Sequence, residues 1–355
     1  MSSDRGSINS YIYSNLQRGA SFILMLVISR RLIGDDLADI FMYKNVSNGI
    51  VLLGSFGLHI SQLRSGSISM FYGSMSIVRI ILILEVLGIT FGFLNYSILY
   101  FTLTTYYALV FPSMPEQKLR NVLGISVGTI VTAVVVFTDF RINLTLSIAS
   151  CVLIAPLIGR IYVKYIKSLF NNNLGLFVGE LPPFIFGLLF VPLMLIYRGS
   201  EFVNIYGRLM LFVNLMLFPV NGLKYVLLSR LRRGATLGNL KFIYPVFALI
   251  SFILVNLFKD KLGQENAAVL TDFMLIIILL LTSRVGAEIF QQKSYILSSD
   301  TKRNIVISLG YVLRLLTLFS PSIDLFLMLF VGVEVLILML FYVLDFFNSN
   351  NPYIS

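Results

Sequence analysis

Residues 28–49 read ISRRLIGDDLADIFMYKNVSNG, and they separate two strongly apolar runs of the chain. The charged residues at 30–39 form a polar turn of the kind that joins membrane helices. Lys44 is different, because the apolar run has already restarted and extends over 40–60. The stretch therefore predicts two membrane helices joined by a short charged turn. The second helix carries a lysine that needs an explanation, since charge inside a membrane segment is unfavourable.

The composition of the whole chain agrees with this interpretation. Hydrophobic residues make up 57% of the 355 residues, charged residues make up 12%, and the mean hydropathy is +0.88. Soluble domains contain about 45–50% apolar and about 25% charged residues. The sequence therefore predicts an all-α, polytopic membrane protein. The first apolar segment lacks the basic start and the small-residue cleavage site of a signal peptide, so we expect it to remain as the first helix.

The apolar runs predict about twelve membrane helices, since each crossing needs about 20 mostly apolar residues. The predicted helices span 8–29, 38–60, 77–95, 97–113, 121–137, 143–163, 174–197, 201–223, 241–258, 266–288, 303–320 and 322–344. Long helical membrane chains are often built from two repeated halves. We expect two six-helix bundles, 1–170 and 171–355, around a central cleft.

Lysine and arginine are distributed unevenly between the predicted loops. The amino terminus and the even-numbered loops carry most of them, with the cluster at 230–233 and Arg284 counted among these loops. Cytoplasmic loops carry such an excess, so both termini are expected to face the cytoplasm. The net charge of +10 is attributed to this topology and to anionic lipid headgroups, and no nucleic-acid partner is expected.

Cysteine and histidine are almost absent, which excludes several kinds of site. Cys151 and His59 are the single representatives of their residue types. An intramolecular disulfide needs two cysteines, and a metal site built from His and Cys needs more ligands than these two residues supply. A Ser–His–Asp site would have to use His59, which has no nucleophile motif near it. We expect neither a cofactor nor an enzymatic activity.

Four basic residues at or near helix ends, Arg160, Lys241, Arg284 and Arg303, are counted with the adjoining loops. Five others fall inside the predicted helices. They are Arg18, Lys44, Arg79, Arg208 and Arg314. A cation at the centre of a membrane costs at least about 2.5–3.5 kcal/mol, so each one needs a counter-charge or a function. Arg79 lies near a helix end, from which its side chain is expected to reach the interface. Arg314 is expected to pair with Glu334 on the last helix.

The other three cations lie on polar stripes of their helices. Lys44 shares its face of the second helix with Asn48, and Arg208 shares its face of the eighth helix with Glu201. One interpretation is hydrogen bonding between helices, with Arg208 paired to Glu201. The other is a cationic cavity that binds an anion inside the membrane. Its predicted ligands are Arg18, Lys44, Asn48, Asn204 and Arg208.

Three acidic residues also fall inside the predicted helices. They are Glu85, Glu180 and Asp272. Each is a candidate for carrying a proton or pairing with Na⁺ in ion-coupled exchange, and each has a structural alternative as a protonated or paired carboxyl group. Pro182 and Pro183 follow Glu180 and are expected to kink the seventh helix, because proline removes a backbone donor.

The opening stretch also resembles the start of the polysaccharide repeat-unit flippases. The matching elements, in order, are Arg31-Leu32-Ile33-Gly34, Asp35-Asp36, Gly57-Leu58 and Arg64. These flippases belong to the multidrug/oligosaccharidyl-lipid/polysaccharide superfamily, which includes the MATE multidrug exporters. The glycine that usually follows the acidic turn is absent, with Ala38 and Asp39 nearby. The signature covers about the first 65 residues, and the twelve-helix layout extends the resemblance along the chain.

The resemblance implies a carrier that moves an undecaprenyl-diphosphate oligosaccharide across the bacterial inner membrane by alternating access. It implies a part in lipopolysaccharide O-antigen or capsule synthesis, beside a polysaccharide polymerase and a chain-length regulator. A MATE-like multidrug or cation antiporter is an alternative, although cationic drugs would favour an acidic cavity. A membrane glycan polymerase or acyltransferase is a second alternative, and such enzymes usually carry a large outer loop or a catalytic histidine.

Overall fold

The computed structural model describes residues 2–55, 68–110, 119–138, 141–232, 240–297 and 300–349. These residues form α-helices joined by turns, and no strand occurs among them. The helices are α1 (Ser2–Arg31), α2 (Gly34–Ser55), α3 (Ile68–Thr90), α4 (Tyr96–Val110), α5 (Leu119–Phe137), α6 (Ile142–Ile154), α7 (Val163–Arg232), α8 (Leu240–Leu257), α9 (Gln264–Asp272), α10 (Met274–Leu297), α11 (Asp300–Leu316) and α12 (Ile323–Ser349). The predicted all-α class is confirmed.

Several of these helices suit a lipid environment. Within the described ranges, four segments are long and apolar enough to cross a membrane: Tyr72–Thr90, Leu181–Phe218, Met274–Gln291 and Ile323–Phe346. Shorter apolar helices add α5, α6 and α8. On α5, the side chains of Val127, Val131 and Val134 are each more than half exposed. Such apolar surfaces are rare on soluble monomers and match acyl chains, so the chain is a polytopic membrane protein, as predicted.

The longest helical run, α7, replaces the predicted seventh and eighth helices. It contains 70 residues, and a straight helix of that length would measure about 105 Å, against a hydrocarbon core of about 30 Å. Gly199 lies between the two predicted helices and has a φ of +82°, which is outside the helical region. Glycine adopts this angle without a steric penalty. The run therefore consists of two segments that meet at Gly199.

Two other predicted helices end differently in the structure. The predicted tenth helix, 266–288, is divided into α9 and α10 by Phe273, whose φ of −108° and ψ of 22° leave the helical path. The predicted sixth helix, 143–163, stops at Ile154. Pro156 follows in a 3-10 turn, and a proline cannot continue the hydrogen-bond ladder of the preceding helix. Hydropathy alone does not detect either break.

The chain forms two compact units, Met1–Asn204 (unit 1) and Ile205–Ser355 (unit 2). In unit 1, α1 packs against α5, while α2 packs against α4 and α3. In unit 2, α10 and α11 both pack against α12. The predicted bundles, 1–170 and 171–355, and the cleft between them stay predictions.

Unit 2 contains an ion cluster that joins three helices. Arg314 on α11 donates from Nε to Glu334 Oε1 at 3.1 Å and from Nη2 to Oε2 at 2.9 Å, which confirms the predicted pair. Arg284 on α10 donates to the same Oε1 at 3.0 Å. The assignment of Arg284 to a cytoplasmic loop was therefore wrong, because the residue lies inside α10. Glu334 on α12 is buried and balances only one of the two positive charges.

The side chain of Arg79 was expected to reach the membrane–water interface. In the structure it forms hydrogen bonds with the backbone of the α6–α7 connection. Its Nε donates to the carbonyl oxygen of Leu157 at 2.7 Å, and its Nη1 donates to the carbonyl of Arg160. These carbonyls belong to the 3-10 turn and the coil after α6, where α-helical partners are missing. The guanidinium group therefore holds the α6–α7 connection against α3.

Candidate functional site

Lys44 lies on the inward face of α2. At 100° per residue, Leu37 and Val51 project within about 20° of the direction of Lys44. Their side chains are 0% and 2% exposed. Lys44 itself is partly buried, and within the described ranges it has neither an acidic partner nor a hydrogen bond. A cation on this packed face is therefore left without a counter-charge among the described residues.

The helix that carries Lys44 is fixed on one side by α4. The hydroxyl group of Ser47 donates to the carbonyl oxygen of Ile98 at 2.8 Å. Thr105 Oγ1 and Asn48 Oδ1 are 3.1 Å apart, and the threonine hydroxyl is the donor. Asn48 thus lies one turn beyond Lys44, and its side-chain oxygen is hydrogen-bonded to α4. Its amide group makes no hydrogen bond within the described residues. This amide can donate to a ligand.

On the other side, α2 crosses α7 in backbone contact. Asn45 Nδ2 donates to the carbonyl oxygen of Gly187 at 2.6 Å. A Cβ atom at position 187 would lie 2.6 Å from the Cα atom of Gly49, closer than real Cβ contacts. Small residues at both positions are what permits this crossing, as is common between membrane helices. Lys44 is therefore held between two fixed helix contacts.

Arg18 occupies a similar position on α1. Met25 projects within about 20° of it and is fully buried. No ion pair or hydrogen bond of Arg18 is found among the described residues. Asn15 and Ser21 flank it, and both Asn15 Oδ1 and Ser21 Oγ are buried polar atoms with no hydrogen-bond partner in the described part of the chain. Unsatisfied buried polar atoms are unfavourable, so this group is suited to a polar ligand.

Arg208, in contrast, already has partners. It is 4% exposed, its Nη1 donates to Asn266 Oδ1 at 2.7 Å, and its Nη2 forms an ion pair with Glu265. The alternative pairing with Glu201 was therefore wrong, since the acid comes from α9. Asn204 belongs to unit 1 and donates from Nδ2 to the carbonyl oxygen of Gly34 at 2.9 Å.

The three acidic candidates have different surroundings. Glu85 is 3% exposed and accepts a hydrogen bond of 2.8 Å from Thr102, while its Oε2 has no partner among the described residues. Asp272 is exposed at the end of α9. The side chain of Glu180 lies outside the described part of the structure, as do the Gly57-Leu58 and Arg64 elements of the sequence signature and His59.

The sequence analysis missed Arg284 as a residue of interest. Its position inside the predicted tenth helix, 266–288, was a usable signal, because any arginine in a membrane helix requires a partner. The pairing of Arg208 with Glu265 had no signal of this kind, since the two residues come from distant helices.

The comparison with known proteins rests on structure. No family model and no curated protein matches the chain. A solved structure described as the outward-facing conformation of a multidrug resistance MATE family transporter of the MOP superfamily superposes with a TM-score of 0.59. The superposition covers 97% of this chain and 95% of the other, at 11% sequence identity. The chain has the fold of a MATE-family transporter. At this identity the similarity concerns the fold alone.

Proposed function

We propose that the protein is a flippase that moves an undecaprenyl-diphosphate-linked oligosaccharide across the bacterial inner membrane for surface polysaccharide synthesis. The observation that carries the proposal is Lys44, a cation on the packed face of α2 without a counter-charge in the described structure. The transporter fold supports movement of a substrate through the chain. The sequence signature at 31–36 supports the polysaccharide-unit class.

The chemistry of the substrate matches the unit 1 cations. A diphosphate is a concentrated negative charge, and Lys and Arg form charge-assisted hydrogen bonds with its oxygen atoms. We assign this binding to Lys44 and Arg18, with the amide group of Asn48 and the unsatisfied atoms beside Arg18 as hydrogen-bonding neighbours. The substrate then supplies the counter-charge that the described protein lacks.

Arg208 and Asn204 are assigned a secondary part in this proposal. Arg208 is occupied by Glu265, whose side chain is 59% exposed and can therefore move away when a phosphate replaces it. Asn204 anchors the start of α2 through Gly34 and so positions the helix that carries Lys44. Arg208 belongs to unit 2 and is kept as a proposed ligand of the substrate.

The proposal also includes an acidic residue that couples transport to an ion gradient. Glu85 is the acid best placed to exchange a proton, because its Oε2 has no partner in the described residues. Glu180 and Asp272 remain further candidates. Both termini face the cytoplasm in this scheme, and a polysaccharide polymerase with its chain-length regulator receives the product on the outer side.

A multidrug or cation antiporter is the second candidate, since the structural neighbour is described as a multidrug resistance transporter. The two functions differ in the charge of the substrate. Cationic drugs need acidic ligands, whereas Arg18 and Lys44 would repel them. A glycan polymerase or acyltransferase is the third candidate. The described residues contain neither a histidine nor a large loop that would support it.

Deleting the gene separates these functions. We expect surface polysaccharide to disappear and lipid-linked units to accumulate on the inner leaflet, because the proposed carrier is their route across the membrane. Immunoblotting of surface polysaccharide and extraction of lipid-linked sugars measure both effects, and a plasmid copy of the gene should restore them. Normal polysaccharide combined with reduced efflux of ethidium would favour the antiporter instead.

A further inference from the structure

Unit 1 contains a pocket of about 840 Å³ that the site described above does not include. It lies where α1 ends and where α2, α4 and α6 begin, and every lining residue belongs to unit 1. Its volume falls within the range of about 300–1,000 Å³ that is typical of small-molecule sites. In the predicted topology this end of the helices faces outward.

The charges of the pocket cancel. Two arginines and two aspartates line it: Arg31, Arg141, Asp36 and Asp39. The guanidinium group of Arg31 is partly engaged, since it donates to the carbonyl of Phe137 and lies 5.1 Å from the centroid of that ring. A lining with balanced charge selects neither an anion nor a cation by net charge. It favours a neutral ligand with many hydrogen-bonding groups.

The uncharged lining residues supply both donors and acceptors. Asn95 accepts a hydrogen bond from the backbone of Ser97 at 2.8 Å through Oδ1, and its amide group also donates to the hydroxyl group of Tyr43. One of its two amide protons is left to donate to a ligand. The hydroxyl group of Ser147 donates to the carbonyl oxygen of Asn143 at 2.6 Å, which leaves its lone pairs to accept. Tyr43 adds a flat ring against which the C–H face of a sugar can pack. These groups match a polyhydroxylated ring.

The pocket is also next to Lys44 along the chain. Asp39 and Tyr43 line it from α2, and Lys44 is the residue that follows Tyr43. We propose that the pocket binds the saccharide part of the substrate at the outer end of unit 1 while Lys44 and Arg18 hold the diphosphate. This inference rests on the proposed function. It assigns recognition of the sugar to a site separate from the cations.

The test is direct binding of a free saccharide to the purified full-length protein in nanodiscs. The probe is the oligosaccharide that mild acid releases from the lipid-linked units of the producing cells, titrated by calorimetry. Asn143 and Ser147 both line the pocket. We expect saturable binding that weakens at least tenfold in the Asn143→Ala/Ser147→Ala double variant, which removes the polar groups of both side chains. Thr90→Ala, an exposed change outside the pocket, should leave the affinity unchanged. Unchanged affinity in the double variant, or no binding to the unmodified protein, overturns the inference.

A second pair of variants keeps the test independent of folding. Tyr43→Phe retains the ring and should bind within about twofold of the unmodified protein, whereas Tyr43→Ala should lose at least tenfold in affinity. Size-exclusion profiles of both variants verify that they are folded. Equal affinity for the two variants contradicts the packing of the sugar on this ring. Competition by ethidium or inorganic pyrophosphate at the same site would also overturn the assignment to a saccharide.

The outcomes distinguish this inference from the proposed function, because the free saccharide carries neither lipid nor phosphate. If the saccharide binds as expected but lipid-linked units are not moved, the flippase proposal fails and the saccharide site stands. If the units are moved and the saccharide does not bind, the inference about the pocket fails alone.

Discussion

Replacement of Lys44 by glutamate is expected to abolish flipping while leaving the protein folded. The change puts a negative charge where the diphosphate binds, and two like charges in a weakly screened site repel each other strongly. Surface polysaccharide should fall to the level of the deletion strain. Immunoblotting of the polysaccharide, together with quantification of the protein in the membrane fraction, measures the effect.

Two further substitutions at position 44 are expected to give intermediate flipping activity. Lys44→Ala should lower the flipping rate by roughly ten- to a hundredfold, because a charge-assisted hydrogen bond contributes about 1.5–3 kcal/mol. Lys44→Arg should retain part of the activity, since the positive charge is kept. Lys261→Glu introduces the same charge change at an exposed residue and should have no effect. Full polysaccharide output from Lys44→Glu at normal abundance would remove Lys44 from the site.

Replacement of Glu334 by glutamine is expected to cause the largest loss of folded protein. Glu334 accepts hydrogen bonds from both Arg284 and Arg314. Loss of its negative charge therefore leaves two neighbouring guanidinium groups without a counter-charge. Breaking a buried ion pair in this way costs about 3–5 kcal/mol. The membrane abundance and the melting temperature of the purified protein should both fall sharply.

Arg284→Gln is the matched variant for this ion cluster. It removes the excess positive charge and leaves Arg314 and Glu334 as a neutral pair with two hydrogen bonds. Its abundance should therefore stay close to that of the unmodified protein. Equal instability of the Glu334→Gln and Arg284→Gln variants would show that the cluster acts through packing and not through charge balance.

The fold class was predictable because it depends on composition and on the length of apolar runs. The pair Arg314–Glu334 was predictable for a related reason, since two adjacent helices carried charges of opposite sign inside their apolar runs. The break at Gly199 falls between the predicted helices 174–197 and 201–223, because polar residues interrupt the apolar run there. The break at Phe273 depends on backbone dihedral angles, which leave no trace in hydropathy. Arg284 was missed because it was counted with a loop that begins after its helix.

The candidate site was predictable only as a set of residue types on helix faces. Periodicity placed Lys44 and Asn48 on one face of α2, but it carried no information about the helix on the opposite side. The contact between Gly49 and Gly187 joins residues far apart in sequence, and so does the pair formed by Arg208 and Glu265. Such tertiary contacts decide which cations have partners, and a single sequence does not encode them in any local pattern.

The most direct test of the central claim is transport by the purified protein in liposomes. Lipid-linked oligosaccharide is placed in both leaflets, and a membrane-impermeant glycosidase or lectin reports the fraction that reaches the outer surface. We expect the unmodified protein to make nearly all of the substrate accessible, while Lys44→Glu leaves the inner-leaflet pool protected. The account would be contradicted if the inner-leaflet pool stays protected in liposomes that contain the folded, unmodified protein, both with and without an imposed proton or Na⁺ gradient.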